Sequence, residues 1–253
     1  KLQQASIVDL VTISLDCAGT YAAAEFQEKS GGNNREIWRT FYQPNVLTTP
    51  QPMVEQRAAC QICEQPVYDG ADIVLELIGS DFSSGIHLTV RDDLAGQLGL
   101  QPAETDGNRA ALLEKLVQNR IAERDRVFEE IRLRTGGGED IARLFAACIR
   151  CHNCMNVCPV CYCKTCVFKS EIFDHEPMQY VTWVKQKGAF RMPADTMLFH
   201  LTRLNHMVLS CVGCGMCTEA CPSELPVGQV FRSVGQNVQA KFDYLPGRSL
   251  DEP

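Results

Sequence analysis

The chain has 253 residues, 45% of them hydrophobic and 22% charged, with a formal net charge of −7. Those are the proportions of a folded globular protein, long enough for one large domain or two ordinary ones. The acidic balance argues against a nucleic-acid binder, which needs a positive face for phosphates, and no apolar run approaches the roughly eighteen residues of a membrane span. The longest such run, Ile7–Leu15, is broken by Asp9, Thr12 and Ser14. No signal peptide is expected, because KLQQAS leads straight into that run; the start at Lys1 rather than Met leaves room for an upstream piece. A cytoplasmic protein, attached to a larger complex through partner subunits, is the expectation.

In chain order, Ile7–Asp16 reads as a buried strand, CAGT as a turn and YAAAEFQEK as the start of a helix. Lys29–Asn34 reads as a loop. Ala71–Gly79 and Ile86–Asp92 read as two further strands, joined by SDFSSG, a connection suited to antiparallel neighbours. Asn108–Arg134 reads as a long helix with Leu112, Leu113, Leu116, Ile121, Phe128 and Ile131 at roughly helical spacing. Thr135-Gly136-Gly137-Gly138 ends it and makes a candidate hinge. Beyond lies helical sequence. Glu139–Ala147 begins with acidic residues suited to a helix N-terminus. Pro193 opens a helix with an apolar stripe of Met197, Leu201, Leu204 and Val208, and another follows Pro226 with Val227, Val230, Phe231, Val234, Val238 and Phe242 on one side. The expected fold is an α/β domain over 1–107, a helix and glycine hinge over 108–138, an α-helical ferredoxin domain carrying two 4Fe–4S clusters over 139–234, and a tail over 235–253.

The fourteen cysteines carry the chemistry. Disulfide scaffolds are short and loop-rich, whereas this chain is long and helical, and its C-x-x-C spacings are too close for most thiols to pair without strain. Metal ligation fits better. Cys148, Cys151, Cys154 and Cys158 follow C-x2-C-x2-C-x3-C before Pro159, and Cys211, Cys214, Cys217 and Cys221 repeat it before Pro222. This is the bacterial ferredoxin signature, in which three thiolates on a tight loop hold one cubane and the fourth serves the other cluster. The expected ligand sets are therefore Cys148, Cys151, Cys154 with Cys221, and Cys211, Cys214, Cys217 with Cys158. Zinc would ask for separated C-x-x-C pairs or Cys with His. Cys60, Cys63, Cys161, Cys163 and Cys166 are candidates for a third centre bridging the two domains, an iron–sulfur cluster ahead of zinc. Cys17 reads equally as a buried core thiol.

His152 lies inside the first cysteine loop and reads as a loop histidine, with hydrogen bonding to a cluster as the sharper alternative. His200 and His206 read as surface or core residues rather than ligands. Arg203 and Arg191 are solvated charges or a balance for negative clusters. The stretch SLDCAGTYAAAEF offers a weak strand–turn–helix phosphate site. No G-x-G-x-x-G, Walker loop or catalytic triad appears, and no catalytic residue is expected.

The doubled cysteine motif, with its repeats 63 residues apart and a helix between them, resembles the α-helical ferredoxin arrangement found in iron–sulfur subunits of heterodisulfide reductase and fumarate reductase. RAACQICEQPVYDGADIVLELIGSD and DLVTISLDCAGTY resemble segments of the coenzyme F420 hydrogenase/dehydrogenase beta-subunit family. RMPADTMLFHLTRLNHM and KFDYLPGRSLDEP are similar to formate dehydrogenase beta subunits of that kind. The resemblance implies an iron–sulfur electron-transfer subunit beside a catalytic oxidoreductase subunit of formate dehydrogenase, hydrogenase or heterodisulfide reductase type. It also implies FAD as a candidate cofactor, and an alternative in which the chain itself oxidises or reduces F420. No segment matches a flavin motif, so no flavin-binding residue is named. A zinc-stabilised interaction module without redox function is the third reading.

Overall fold

A computed structural model describes residues 10–22, 25–26, 28, 39–49, 56–103, 107–161, 163–173, 176–187 and 194–248. Among them the protein is mostly helical, with one small three-stranded sheet. The chain divides into two compact units, Lys1–Arg124 and Asp125–Pro253. The readings of 7–9 and Lys29–Asn34, and Pro193 and Arg191, lie outside the described residues.

In the first unit, β1 (Ile13–Leu15), β2 (Ile73–Glu76) and β3 (His87–Val90) form the sheet in that order. β1 runs parallel to β2 with Ser14 opposite Val74, and β2 runs antiparallel to β3 with Val74 opposite Thr89. The SDFSSG turn thus joins antiparallel neighbours. Helices α1 (Pro44–Thr48), α2 (Ala58–Gln61), α3 (Asp92–Leu98) and the first part of α4 (Asn108–Arg134) complete the unit. Leu112 and Leu116 of α4 join Phe41, Tyr42, Leu47 and Ile78 in its core. Asp16 ties the parts together from a fully buried position. Its carboxylate accepts the backbone N–H groups of Leu77 (3.0 Å) and Ile78 (2.9 Å) and the guanidinium of Arg109.

β1 itself is not buried. Ile13 is 64% and Leu15 55% exposed. The apolar run specifies a strand but not its neighbours, and β1 is the edge strand of its sheet.

The second unit holds the later part of α4, then α5 (Gly138–Leu144), α6 (Asn153–Asn156), two 3-10 turns (Val167–Lys169 and Glu171–Phe173), α7 (Pro177–Lys187), α8 (Ala194–Met207), α9 (Met216–Glu219) and α10 (Val227–Lys241). Ile131, Phe145, Phe168, Phe199, Val227 and Phe231 anchor its core. α6 packs on α9 and α8 on α10. At Gly235 of α10 an added Cβ would lie 3.1 Å from the Val208 carbonyl oxygen, a tight approach that favours glycine.

The buried face of α8 differs from the apolar stripe read from the sequence. Leu201 is exposed and Met197, Leu204 and Val208 are half-buried, while Thr196, Phe199, His200, Arg203 and Met207 are buried. Both sets follow helical spacing, and the one carrying polar side chains faces inward. On α10, Val227, Val230 and Phe231 are buried as their spacing indicates, but Phe242 lies just past the helix end and is exposed.

Candidate metal centre

The two cysteine loops repeat one backbone course. After the first cysteine of each, Arg150 (φ 57°) and Gly213 (φ 68°) take the left-handed conformation, and after the second, His152 (φ 58°) and Gly215 (φ 72°) do so again. These turns bend the chain so that His152 and Gly215 each start a one-turn helix, α6 and α9. His152 O accepts the N–H of Met155 at 2.9 Å, and Gly215 O that of Thr218 at 3.0 Å. Backbone N–H groups also turn towards sulfur: Arg150 N lies 3.5 Å from Cys148 Sγ and Leu225 N 3.4 Å from Cys221 Sγ, with Gly213 N–H serving Cys211 likewise. Such bonds stabilise thiolate.

The thiols fall into two groups. Cys148, Cys151, Cys154 and Cys221 line one largely apolar cavity, walled by Phe199 and His200. Burial pushes the Cys154 thiol up to about 11; Arg203 opposes the shift, and Cys148, Cys151 and Cys221 add to it. Cys217 is pushed up to about 12, again chiefly by burial, with Arg203 opposing and Cys211, Cys158 and Cys214 adding. Cys211 is raised by burial and by Cys214 and Cys158. Each group therefore takes three thiols from one loop and the fourth from the other. A centre binding here must displace thiol protons.

Among the described residues no group of three or more His, Cys, Asp or Glu side chains gathers around a single-ion position. One zinc would need thiolates about 2.3 Å from a common point. A cubane keeps its thiolates apart, one on each iron. Each group offers four thiols, the number of donors that a cubane takes.

α8 supplies the polar side of the site. His200, 1% exposed, places Nε2 3.3 Å from Cys148 Sγ and stacks on Phe145. Burial, then the charges of Arg203 and His152, push its pKa down to about 4. Arg203, 3% exposed, donates from Nη1 to Cys154 Sγ at 3.1 Å and from Nη2 to the Cys154 carbonyl at 3.0 Å. It is a buried cation rather than a solvated charge. His152 stacks on Phe199 with ring centroids 4.6 Å apart. His206 is exposed.

The remaining cysteines separate by unit. In the second, Cys161 and Cys166 are half-buried against the core and Cys163 is exposed. Burial raises the Cys161 thiol and Arg203 opposes it; Cys166 Sγ lies 4.0 Å from Met155 Sδ. In the first, Cys17, Cys60 and Cys63 surround one buried cation. Arg120 of α4 donates to the carbonyls of Ala18 (2.6 Å), Cys63 (3.2 Å) and Cys17 (3.4 Å). Burial lowers its pKa, and the thiols of Cys63, Cys17 and Cys60 oppose that shift. Cys17 is exposed, so it is not a core thiol; the strand it follows lies at the sheet edge. No sequence motif singles out Arg120, although it continues the four-residue steps of Leu112 and Leu116 on one helix face.

Comparison with known proteins adds to this geometry. Residues 144–225 match the family model of the 4Fe-4S dicluster domain. The F420-dependent formate dehydrogenase subunit beta of Methanocaldococcus jannaschii is 29% identical over 100 residues, 40% of this chain and 23% of that protein. The F420-dependent formate dehydrogenase 1 subunit beta of Methanococcus maripaludis is 27% identical over 214 residues, 78% of this chain and 51% of that protein. The chain is thus similar to formate dehydrogenase beta subunits. It spans about half the length of the second of these relatives and about a quarter of the first. Its cysteine-rich region lies within the part that matches the 4Fe-4S dicluster domain. Among the described residues no helix is long and apolar enough to cross a membrane.

Proposed function

We propose that the chain is an iron–sulfur electron-transfer part of a formate dehydrogenase-type complex, working beside a catalytic partner subunit. In this reading Cys148, Cys151, Cys154 and Cys221 hold one 4Fe–4S cluster, and Cys211, Cys214, Cys217 and Cys158 hold the other. The supporting observation is the grouping of Cys221 with three thiols of the first loop around one cavity. Clusters whose ligands cross between loops are neighbours, and each passes one electron at a time. The protein sets burial, charge and hydrogen bonding around them. The domain division extends this reading, with 1–107 as an α/β domain, 108–138 as a linking helix and hinge, and 139–234 as the ferredoxin domain.

A third centre, an iron–sulfur cluster ahead of zinc, would draw on Cys60, Cys63, Cys161, Cys163 and Cys166. The alternative is an FAD-containing subunit that itself oxidises or reduces F420. Both relatives are F420-dependent subunits, which favours this alternative. Iron, acid-labile sulfide, zinc and flavin per chain, measured on anaerobically purified protein, separate these readings. About eight irons with eight sulfides support two cubanes, and about twelve add the third centre. Stoichiometric flavin supports the alternative. Zinc without sulfide overturns the electron-transfer reading.

A further inference from the structure

The inward face of α8 is polar where a helix packed into a core is normally apolar. Thr196, His200 and Arg203 stand at i, i+4 and i+7 on one face, all nearly or fully buried. Among the described residues Thr196 Oγ1, His200 Nδ1 and Arg203 Nε find no hydrogen-bond partner. Buried groups of this kind are rare in folded proteins.

Arg203 is the one member with a permanent charge. It bonds Cys154, of the first thiol group. With ligands crossing between the loops, the second cluster is a neighbour of the first, so the same charge reaches it more weakly. Its cation also lies 5.4 Å from the Phe199 ring centroid and 5.1 Å from that of Phe231, which exclude water around it. His200 meets Cys148, in the first group. The second group has a cation of its own nearby, Arg232, which acts on Cys211.

We infer that Arg203 is a positioning residue shared by both clusters: one buried guanidinium that raises both reduction potentials, the first-loop cluster's more, while His200 acts on the first-loop cluster alone. The inference rests on the two-cluster reading. Each reduction brings one electron from a low-potential one-electron donor and adds one negative charge. No bond is formed or broken, and Arg203 keeps its proton throughout. A fixed positive charge in a water-poor site favours the more negative, reduced state and is little screened by salt.

The test is a potentiometric titration of the anaerobically purified full chain, followed by electron paramagnetic resonance. Arg203→Gln is expected to move both midpoints to more negative values, further for one cluster than the other. His200→Gln is expected to move only the cluster that shifted more. Arg203→Lys, which keeps the charge, should stay close to the wild type. Arg203→Met, which keeps the packing between the two phenylalanines, repeats the comparison if the Gln variant loads poorly. Unmoved midpoints in loaded Arg203→Gln or Arg203→Met protein would overturn the inference, as would a shift confined to one cluster or an equal shift in Arg203→Lys. Loss of clusters in all three Arg203 variants would make the residue structural and overturn it too. A wild-type protein without clusters would instead defeat the functional reading beneath it.

Discussion

The two compact units bury charge in opposite ways. In the first, Asp16 and Arg120 are enclosed by protein groups that answer them: two backbone N–H groups and Arg109 for the carboxylate, three carbonyls for the guanidinium. In the second, Thr196, His200 and Arg203 are as deeply buried but each keeps an unanswered polar atom, and two of them touch cysteine sulfur. Closed networks hold a fold together. Open ones, set against grouped thiols, suit the proposed metal centre. The difference assigns Asp16 and Arg120 to stability and the α8 stripe to the metal centre.

The largest expected effect tests the closed network. Asp16→Ala takes the acceptor from two backbone N–H groups and one of the two carboxylates from Arg109, which keeps Glu76; breaking this buried network costs about 3 kcal/mol. Chemical denaturation should show the first unit losing that stability, while the electron paramagnetic resonance spectrum of the clusters stays unchanged. A spectral change would mean that the two kinds of burial are not separable.

Next is a pH effect in the first unit. Tyr42 donates its hydroxyl to the Asp16 carbonyl, and burial, the largest cause, pushes its pKa up to about 12. The folded state then holds this proton more tightly than the unfolded one. Its stabilisation is complete below about pH 10 and is lost as pH rises towards 12, amounting to about 2 kcal/mol. Melting curves across that window should fall for the wild type and much less for Tyr42→Phe.

The smallest effect concerns the cysteine loops. Gly215 adopts φ 72° where the first loop has His152 at φ 58°. Gly215→Ala should cost about 1–2 kcal/mol from the left-handed conformation alone. His152→Gly should change stability less, because relief of the same strain is offset by the lost stacking on Phe199. Denaturation of both variants with clusters loaded checks the sign and the order.

What the sequence discloses follows from what its patterns encode. The long helix Asn108–Arg134 is read end to end, because its apolar spacing is sustained and a glycine run stops it. The cysteine spacing marks the two loops, since ligand geometry demands short, fixed intervals. The α8 stripe misleads for a physical reason. Apolar periodicity reports burial against a core, and here the inward face carries Thr196, His200 and Arg203, the last two of which meet thiols. A spacing count that treats polar residues as outward therefore selects the wrong face. The Asp16–Arg109 pair and the Arg120 cluster are illegible because their partners lie 93 or more residues away, or are backbone atoms. Neither kind of contact leaves a local pattern.

The most direct test of the central claim asks which cluster loses its ligand when Cys158 is changed. Anaerobic Cys151→Ser and Cys214→Ser proteins define, by electron paramagnetic resonance and iron content, the spectra of damage to the first and second loops. With crossed ligands, the Cys158→Ser spectrum matches that of Cys214→Ser, although Cys158 lies in the first loop. A match to Cys151→Ser would contradict the crossed arrangement.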